Sequence, residues 1–188
     1  MDITELYQNM RSIRRFTDEE VTDKELHTIL ENLRIMPSGV NAQSLTFLVV
    51  KSPDYVQKLN HTVRYGGALP KEIGTPKEDQ FPRMYLVIVQ NGKDSLTDID
   101  TGIAACTIMA TATSLGLASC CFASHDPQKV GELFGLKEDQ KARLVVALGH
   151  AACSSKVIPL TDTKAYHLDE NGNFEVPKRA LKDIYQVI

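Results

Sequence analysis

The run Met84-Tyr85-Leu86-Val87-Ile88-Val89 is apolar at all six positions and is followed by the turn pair Asn91-Gly92. An unbroken apolar run of this length, rich in β-branched residues, is typical of a strand that is buried on both faces. Three further runs, at 45–50, 117–122 and 144–148, are apolar except for Thr46 and Ser119. The sequence therefore predicts four core strands of one central sheet.

Helical patterns alternate with these strands. Thr22-Asp23-Lys24-Glu25 is a capping box followed by an apolar stripe at helical spacing, and the stretch 98–115 predicts a helix that is apolar on nearly every side. We read residues 65–82 as a long loop, 166–176 as a hairpin, and the residues from Pro177 onward as an extended arm. The fold class predicted is α+β or α/β, with one domain over residues 1–188.

Composition excludes several classes of protein. The chain has 188 residues and a net charge of -3, which gives no reason to expect a nucleic-acid partner. It has no apolar stretch of about 18 residues and an acidic start, so we expect neither a membrane span nor a signal peptide, and a cytoplasmic location. The spacing of the four cysteines fits no zinc site, so we expect no metal and buried free thiols.

A basic cluster, Arg11-Ser12-Ile13-Arg14-Arg15, follows the first predicted helix. Guanidinium groups offer forked donors that match phosphate oxygens, so the cluster suits a doubly charged anion. The alternative is a solvated basic patch, or pairing with the acidic residues at 18–20.

A polar loop, Pro37-Ser38-Gly39-Val40-Asn41-Ala42-Gln43, follows the second helix. Its side chains can hydrogen-bond a heterocycle, although capping of the helix end is the simpler role. Taken together, the basic cluster and this loop suggest a phosphate-bearing aromatic cofactor.

These segments, in this order, resemble the nitroreductase family of FMN-dependent oxidoreductases. The family's Arg-Ser-x-Arg-x-Phe is matched by Arg11–Phe16, and its Pro-Ser-x-x-Asn-x-Gln-Pro-Trp by 37–45, where Ser44-Leu45 replaces Pro-Trp. The remaining matches are Asp100-Thr101-Gly102-Ile103-Ala104-Ala105, Gly116-Leu117, Asp126-Pro127 and Leu148-Gly149-His150.

The resemblance implies a nitroreductase-like, mostly antiparallel sheet flanked by helices, in a homodimer with two FMN sites and an exchanged C-terminal arm. It also assigns site residues. Arg11, Ser12 and Arg14 would hold the FMN phosphate and ribityl chain, while Ser38, Gly39, Asn41 and Gln43 would come from the partner subunit. Backbone N–H groups at Ala123 and Ser124 would face the flavin N5 and O4, His125 could touch substrate, and a late basic residue (Lys178, Arg179 or Lys156) would reach the phosphate.

The activity implied is electron transfer from NAD(P)H through FMN to an electron-poor acceptor, such as a nitroaromatic or a quinone, in a ping-pong cycle. No catalytic side chain is assigned, because the flavin carries the chemistry and solvent can supply protons. Two alternatives stay open: a flavin-binding protein without turnover, serving storage or sensing, and a flavin-consuming or dehalogenating relative on the same fold.

Overall fold

A computed structural model describes residues 1–93 and 95–188. Four antiparallel strands form the central sheet in the order β1-β2-β4-β3. They are β1 (Leu45–Val50), β2 (Met84–Asn91), β3 (Ala118–Phe122) and β4 (Gln140–Gly149). All four predicted strands are confirmed, although β4 begins at Gln140, before the predicted Leu144. The expectation that residues 45–50 form a buried strand was wrong, because β1 lies at the edge of the sheet and exposes Thr46 and Val49.

Strand β2 is buried on both faces because helices cover both sides of the sheet. Tyr85, Val87 and Val89 face one hydrophobic core, and Met84, Leu86 and Ile88 face the other. Helices α3 (Pro53–Asn60) and α6 (Pro127–Phe134) contribute to the first core, while α2 (Asp23–Ile35) and α5 (Thr97–Ser114) contribute to the second. This arrangement explains why the run has no polar alternation.

Two shorter helices also lie in the described ranges: α1 (Ile3–Asn9) and α4 (Lys71–Gly74). The Thr22–Glu25 capping box at the start of α2 is formed in both directions. Gly116 follows the end of α5 and has a φ of 79°, in the left-handed region. This is the conformation expected of a glycine that ends a helix.

Helix α5 corrects one expectation. It is buried on one side only, against α2 and the sheet. Ile99, Gly102 and Cys106 are exposed on its other side. The expectation of an all-round buried helix was wrong for a single chain, and so was the expectation that Cys106 is buried.

A second, three-stranded sheet lies in the C-terminal third, in the order β5-β7-β6. The predicted hairpin is confirmed as β6 (His167–Leu168) and β7 (Phe174–Lys178), but β5 (Ser155–Pro159) was not predicted. Pro177 belongs to β7 and not to the arm. Since β6 pairs only with Phe174 and Glu175, the missing N–H of Pro177 interrupts no hydrogen bond to β6.

The segment 65–82 is more ordered than the predicted loop. It contains α4 and a 3-10 turn at Glu78–Gln80, and the Tyr65 side chain is buried in the first core. None of the helices in the described ranges is long and apolar enough to cross a membrane. The assignment of residues 1–188 to a single domain stays a prediction.

Candidate functional site

The basic cluster and the C-terminal sheet form the walls of one cavity of about 230 Å³. The segment between α1 and residue 16 is fixed to β3 by the Ile13 N–H, which donates to the Ser119 carbonyl at 2.9 Å. This places Arg11, Ser12 and Arg14 along one wall. The cavity is completed by Met10, Met109, Ser155, Tyr166, Val176 and Lys178.

The arginines of this cavity have no carboxylate partner among the described residues. Arg11 donates to the carbonyls of Met10 (2.8 Å) and Tyr7 (3.0 Å), and Arg14 donates to the Ser12 carbonyl at 3.2 Å. Neither arginine is paired with the acidic residues at 18–20. One of these, Glu19, instead places its Oε1 3.6 Å from His150 Nε2. The cavity therefore carries uncompensated positive charge, which suits an anion.

The guanidinium of Arg14 lies against two aromatic rings. Its Cζ is 4.4 Å from the ring centroid of Tyr166 and 5.2 Å from that of Phe174. These cation–π contacts hold the guanidinium beside the two rings without neutralising it.

The three late basic residues differ in their surroundings. Lys178 lines the cavity with Arg11 and Arg14. Arg179 donates to the Asp183 carbonyl at 3.1 Å, and Lys156 forms an ion pair with Glu175 at 2.8 Å. The hydrogen bond from Lys156 holds the pKa of the Glu175 carboxyl below its usual value. Geometry thus favours Lys178 as the residue that reaches an anion in this cavity.

The polar loop has an unusual backbone. Val40, Asn41 and Gln43 have φ angles of 45°, 57° and 50°, in the left-handed region that glycine favours. Each such residue costs about 1 kcal/mol or more, so other contacts must hold the loop. Two are visible: the Gln43 N–H donates to Ser38 Oγ at 3.3 Å, and the Gly39 N–H donates to Asp100 Oδ1 at 2.8 Å. The side chains of Asn41 and Gln43 remain exposed.

Asp100 is the residue whose role sequence reasoning missed. It is 1% exposed, and its second oxygen, Oδ2, has no hydrogen-bond partner among the described residues. It lines a cavity of about 190 Å³ together with Ser38 and Gln43. The available signal was Asp100 in the first turn of a helix whose later turns carry no charged residue.

The basic cavity and the polar loop lie at different places along α5. The cavity contains Met109, and the loop is anchored at Asp100. Nine residues of helix separate these positions by about 14 Å along the axis. The two groups of predicted site residues therefore line different cavities within one chain.

The turn after β3 carries the third predicted group. Ala123 and Ser124 are exposed, and the Arg64 N–H donates to the Ser124 carbonyl at 2.9 Å. Ser12 pairs with Ser119, four residues before Ala123, which puts the turn about 13 Å along β3 from the basic cavity.

His125 is held against backbone within the same turn. Its Nδ1 lies 3.1 Å from the Phe122 carbonyl oxygen and its Nε2 lies 3.3 Å from that of Ala142. A contact between His125 and substrate stays a prediction, and the geometry by itself gives this ring a structural role.

Comparisons with known proteins agree with the fold. The model of the nitroreductase family matches residues 8–150. The FMN reductase [NAD(P)H] of Bacillus subtilis strain 168 is 27% identical over 183 residues, covering 85% of this chain and 70% of the relative.

Two solved structures share the fold. A nitroreductase family protein of Clostridium novyi NT superimposes with a TM-score of 0.71 at 22% identity, covering 80% of this chain and 86% of that one. A nitroreductase of Bacteroides fragilis with bound FMN superimposes with a TM-score of 0.65 at 24% identity, covering 81% and 89%. Because the family model matches residues 8–150, which is most of this chain, the chain belongs to the nitroreductase family.

Proposed function

We propose that this protein is an FMN-dependent oxidoreductase that passes electrons from NAD(P)H to an electron-poor small molecule. The observation that carries the proposal is the basic cavity, where Arg11 and Arg14 have no carboxylate partner within the described ranges and Lys178 lines the same space. A phosphate is the anion whose charge and oxygen geometry best match this donor set. Family membership supplies the flavin as the bearer of that phosphate.

The residues of this chain would bind and orient the cofactor. The guanidiniums of Arg11 and Arg14, the Ser12 hydroxyl and the Lys178 ammonium would hold the phosphate end. The ring would extend toward Ala123 and Ser124, two exposed residues whose backbone N–H groups would face it. Bound FMN would accept a hydride and pass electrons on, and we propose that donor and acceptor use one site in turn, as a ping-pong cycle requires.

We propose a homodimer in which the polar loop of one subunit completes the FMN site of the other. The separation of loop and cavity along α5 supports this, because one chain alone does not bring them together. Exposed apolar side chains also support it, since such surfaces are typical of interfaces. They include Ile3 and Tyr7 on α1, Ile99 on α5, and Leu181, Ile184, Tyr185 and Val187 on the arm.

Removal of the arm tests its proposed exchange between subunits. Deletion of residues 180–188 should shift the protein from dimer to monomer in sedimentation velocity, since apolar side chains would lose their partner surface. A control variant with Lys182→Ala and Asp183→Ala changes only polar arm residues and should stay dimeric. A full-length monomer, or a truncated chain that stays dimeric, would contradict the exchange.

The activity is tested by the visible absorption spectrum of the purified protein, before and after anaerobic addition of NADH or NADPH. A flavin spectrum that bleaches supports the reductase, and nitroaromatics and quinones can then be compared as acceptors. A flavin spectrum that persists favours the alternative of flavin binding without turnover. Loss of the family's Pro-Trp at Ser44-Leu45 is the observation that favours this alternative. Failure to bind FMN would contradict both.

A further inference from the structure

Tyr166 contacts two segments that are far from it in the sequence. Its ring lies 4.4 Å from Arg14 Cζ, and its hydroxyl oxygen accepts a hydrogen bond from the Ala68 N–H at 3.1 Å. The same side chain lines the basic cavity. Tyr166 therefore links an arginine of the proposed phosphate site to the segment that precedes α4.

The contact between the Tyr166 ring and Arg14 restricts the position of the guanidinium in the cavity. The only polar contact of this guanidinium among the described residues is the Ser12 carbonyl at 3.2 Å, so most of its N–H groups are free to donate. A guanidinium that lies over a ring spends none of its N–H groups on that contact, so they stay available for an anion. Tyr166 thus limits the rotamers of Arg14 without competing for its donors.

The hydrogen bond from the Ala68 N–H to the Tyr166 hydroxyl restrains residues 66–70, a segment whose backbone is tightly packed. A Cβ at Gly66 would lie 2.5 Å from the Gly74 Cα, so the two ends of this segment touch. The Gly66 carbonyl accepts from the Leu69 N–H at 2.7 Å. Arg15 provides a second link, donating to the Ile73 carbonyl at 3.3 Å.

We propose that Tyr166 is a positioning residue that orients Arg14 for the FMN phosphate and holds residues 66–70 through the Ala68 N–H. The inference rests on the proposed function. The orientation of Arg14 and the order of the segment before α4 both depend on this one side chain, through different atoms. The ring serves Arg14, and the hydroxyl serves Ala68.

The ring is tested by comparing the affinities for FMN and for riboflavin, which lacks the phosphate. Tyr166→Leu removes the ring and should weaken FMN binding about 5- to 30-fold while leaving riboflavin binding nearly unchanged. Tyr166→Phe keeps the ring and should restore the wild-type ratio of the two affinities. If the Leu variant does not fold, Tyr166→Met provides the same comparison.

The matched control is Tyr55→Leu. Tyr55 also has a cation near its ring, Lys58 at 5.3 Å, but it lies on α3 outside the basic cavity. This variant should leave the ratio unchanged. An equal loss of FMN and riboflavin affinity in Tyr166→Leu would reduce Tyr166 to a structural role and overturn the inference.

The hydroxyl is tested by limited trypsin digestion of the flavin-loaded protein. Tyr166→Phe leaves the Ala68 N–H without its acceptor, so cleavage after Lys71 should become about 2- to 10-fold faster. An unchanged cleavage rate would overturn the link to Ala68. A wild-type protein that binds no FMN overturns the proposed function together with the inference, whereas variants that match a flavin-binding wild type overturn the inference alone.

Discussion

Asp100 Oδ1 accepts a hydrogen bond from the Gly39 N–H at 2.8 Å, from within a helix and at 1% exposure. The bond joins α5 to a loop in which three non-glycine residues have left-handed φ angles. A buried carboxylate with an unpartnered second oxygen is expensive, so we attribute its presence to the loop that it holds.

Asp100→Ala should therefore affect the loop more than global stability. The Gly39 N–H loses its acceptor, while the burial cost of an unpartnered carboxylate oxygen disappears, so the two effects on unfolding oppose each other. We expect a melting temperature within a few degrees of wild type and FMN affinity reduced about 10-fold or more. Thermal unfolding and fluorescence titration measure the two quantities.

The control for Asp100 is its neighbour Thr101, whose buried Oγ1 also has no hydrogen-bond partner among the described residues. Thr101→Val keeps the shape of the side chain and should change neither the melting temperature nor the FMN affinity much. Asp100→Asn retains an oxygen for Gly39 and should fall between wild type and Asp100→Ala. A large fall in melting temperature with unchanged FMN affinity would assign Asp100 to the core instead of the loop.

Lys178→Ala should weaken FMN binding more than either of the other late basic substitutions. A charge-assisted hydrogen bond to phosphate contributes about 1.5–3 kcal/mol, which corresponds to about 10- to 150-fold in affinity. Arg179→Ala and Lys156→Ala remove charges that are engaged elsewhere and should cost less than about 3-fold. Isothermal titration with FMN ranks the three variants, and a larger loss for Arg179→Ala would reverse the assignment.

Tyr85→Phe should destabilise the fold more than Tyr65→Phe. The Tyr85 hydroxyl donates to Asn60 Oδ1 and lies 2.5 Å from the Tyr65 hydroxyl, whereas Tyr65 itself is 3.4 Å from Asn60. Loss of the Tyr85 hydroxyl leaves the half-buried Asn60 side chain with only the long contact, at a cost of about 1–3 kcal/mol.

Urea denaturation measures this difference. Tyr55→Phe, on the exposed side of α3, is the control and should lie within about 0.5 kcal/mol of wild type. Equal losses for the two core tyrosines would mean that the hydroxyls are interchangeable in this network.

Alkaline pH should destabilise the protein partly through Cys120. Burial raises the pKa of this thiol from its usual value near 9 to about 11. The unfolded chain therefore releases the proton first, so the contribution of Cys120 is complete below pH 9 and falls as the pH rises toward 11. Between pH 8 and pH 10 the loss is about 1.4 kcal/mol for this thiol.

The comparison uses urea denaturation under reducing conditions at both pH values. Cys120→Ala should lose less stability over this interval than wild type, whatever its stability at pH 8. An unchanged difference in Cys120→Ala would contradict the assigned titration.

The central sheet was predictable because burial on both faces leaves a direct mark in the sequence, as at 84–89. Helix ends were predictable where local capping residues stand, as at Thr22 and Glu25. Strand β5 was not predictable from the sequence. Its five residues, Ser155 to Pro159, mix polar and apolar side chains without a strand-like alternation, and its partner β7 comes later in the chain, after β6.

The candidate site was predictable in part, for a similar reason. The basic cluster and the polar loop are contiguous motifs, so their residue types alone suggested a phosphate and a heterocycle. The left-handed backbone at Val40 and the contacts of Tyr166 arise from tertiary packing, so the neighbouring sequence predicts neither of them.

The hydrogen bond from Arg15 to the Gly172 carbonyl joins residues 157 positions apart, and the basic cavity depends on the same long-range closure. During synthesis on a ribosome, Arg11 and Arg14 emerge early, but the wall formed by Ser155, Tyr166 and Lys178 emerges much later. The cavity cannot form cotranslationally until that wall has been made. Under the proposed function, FMN can therefore be captured only after Lys178 has been made, and the residues that precede it begin to fold without a bound flavin.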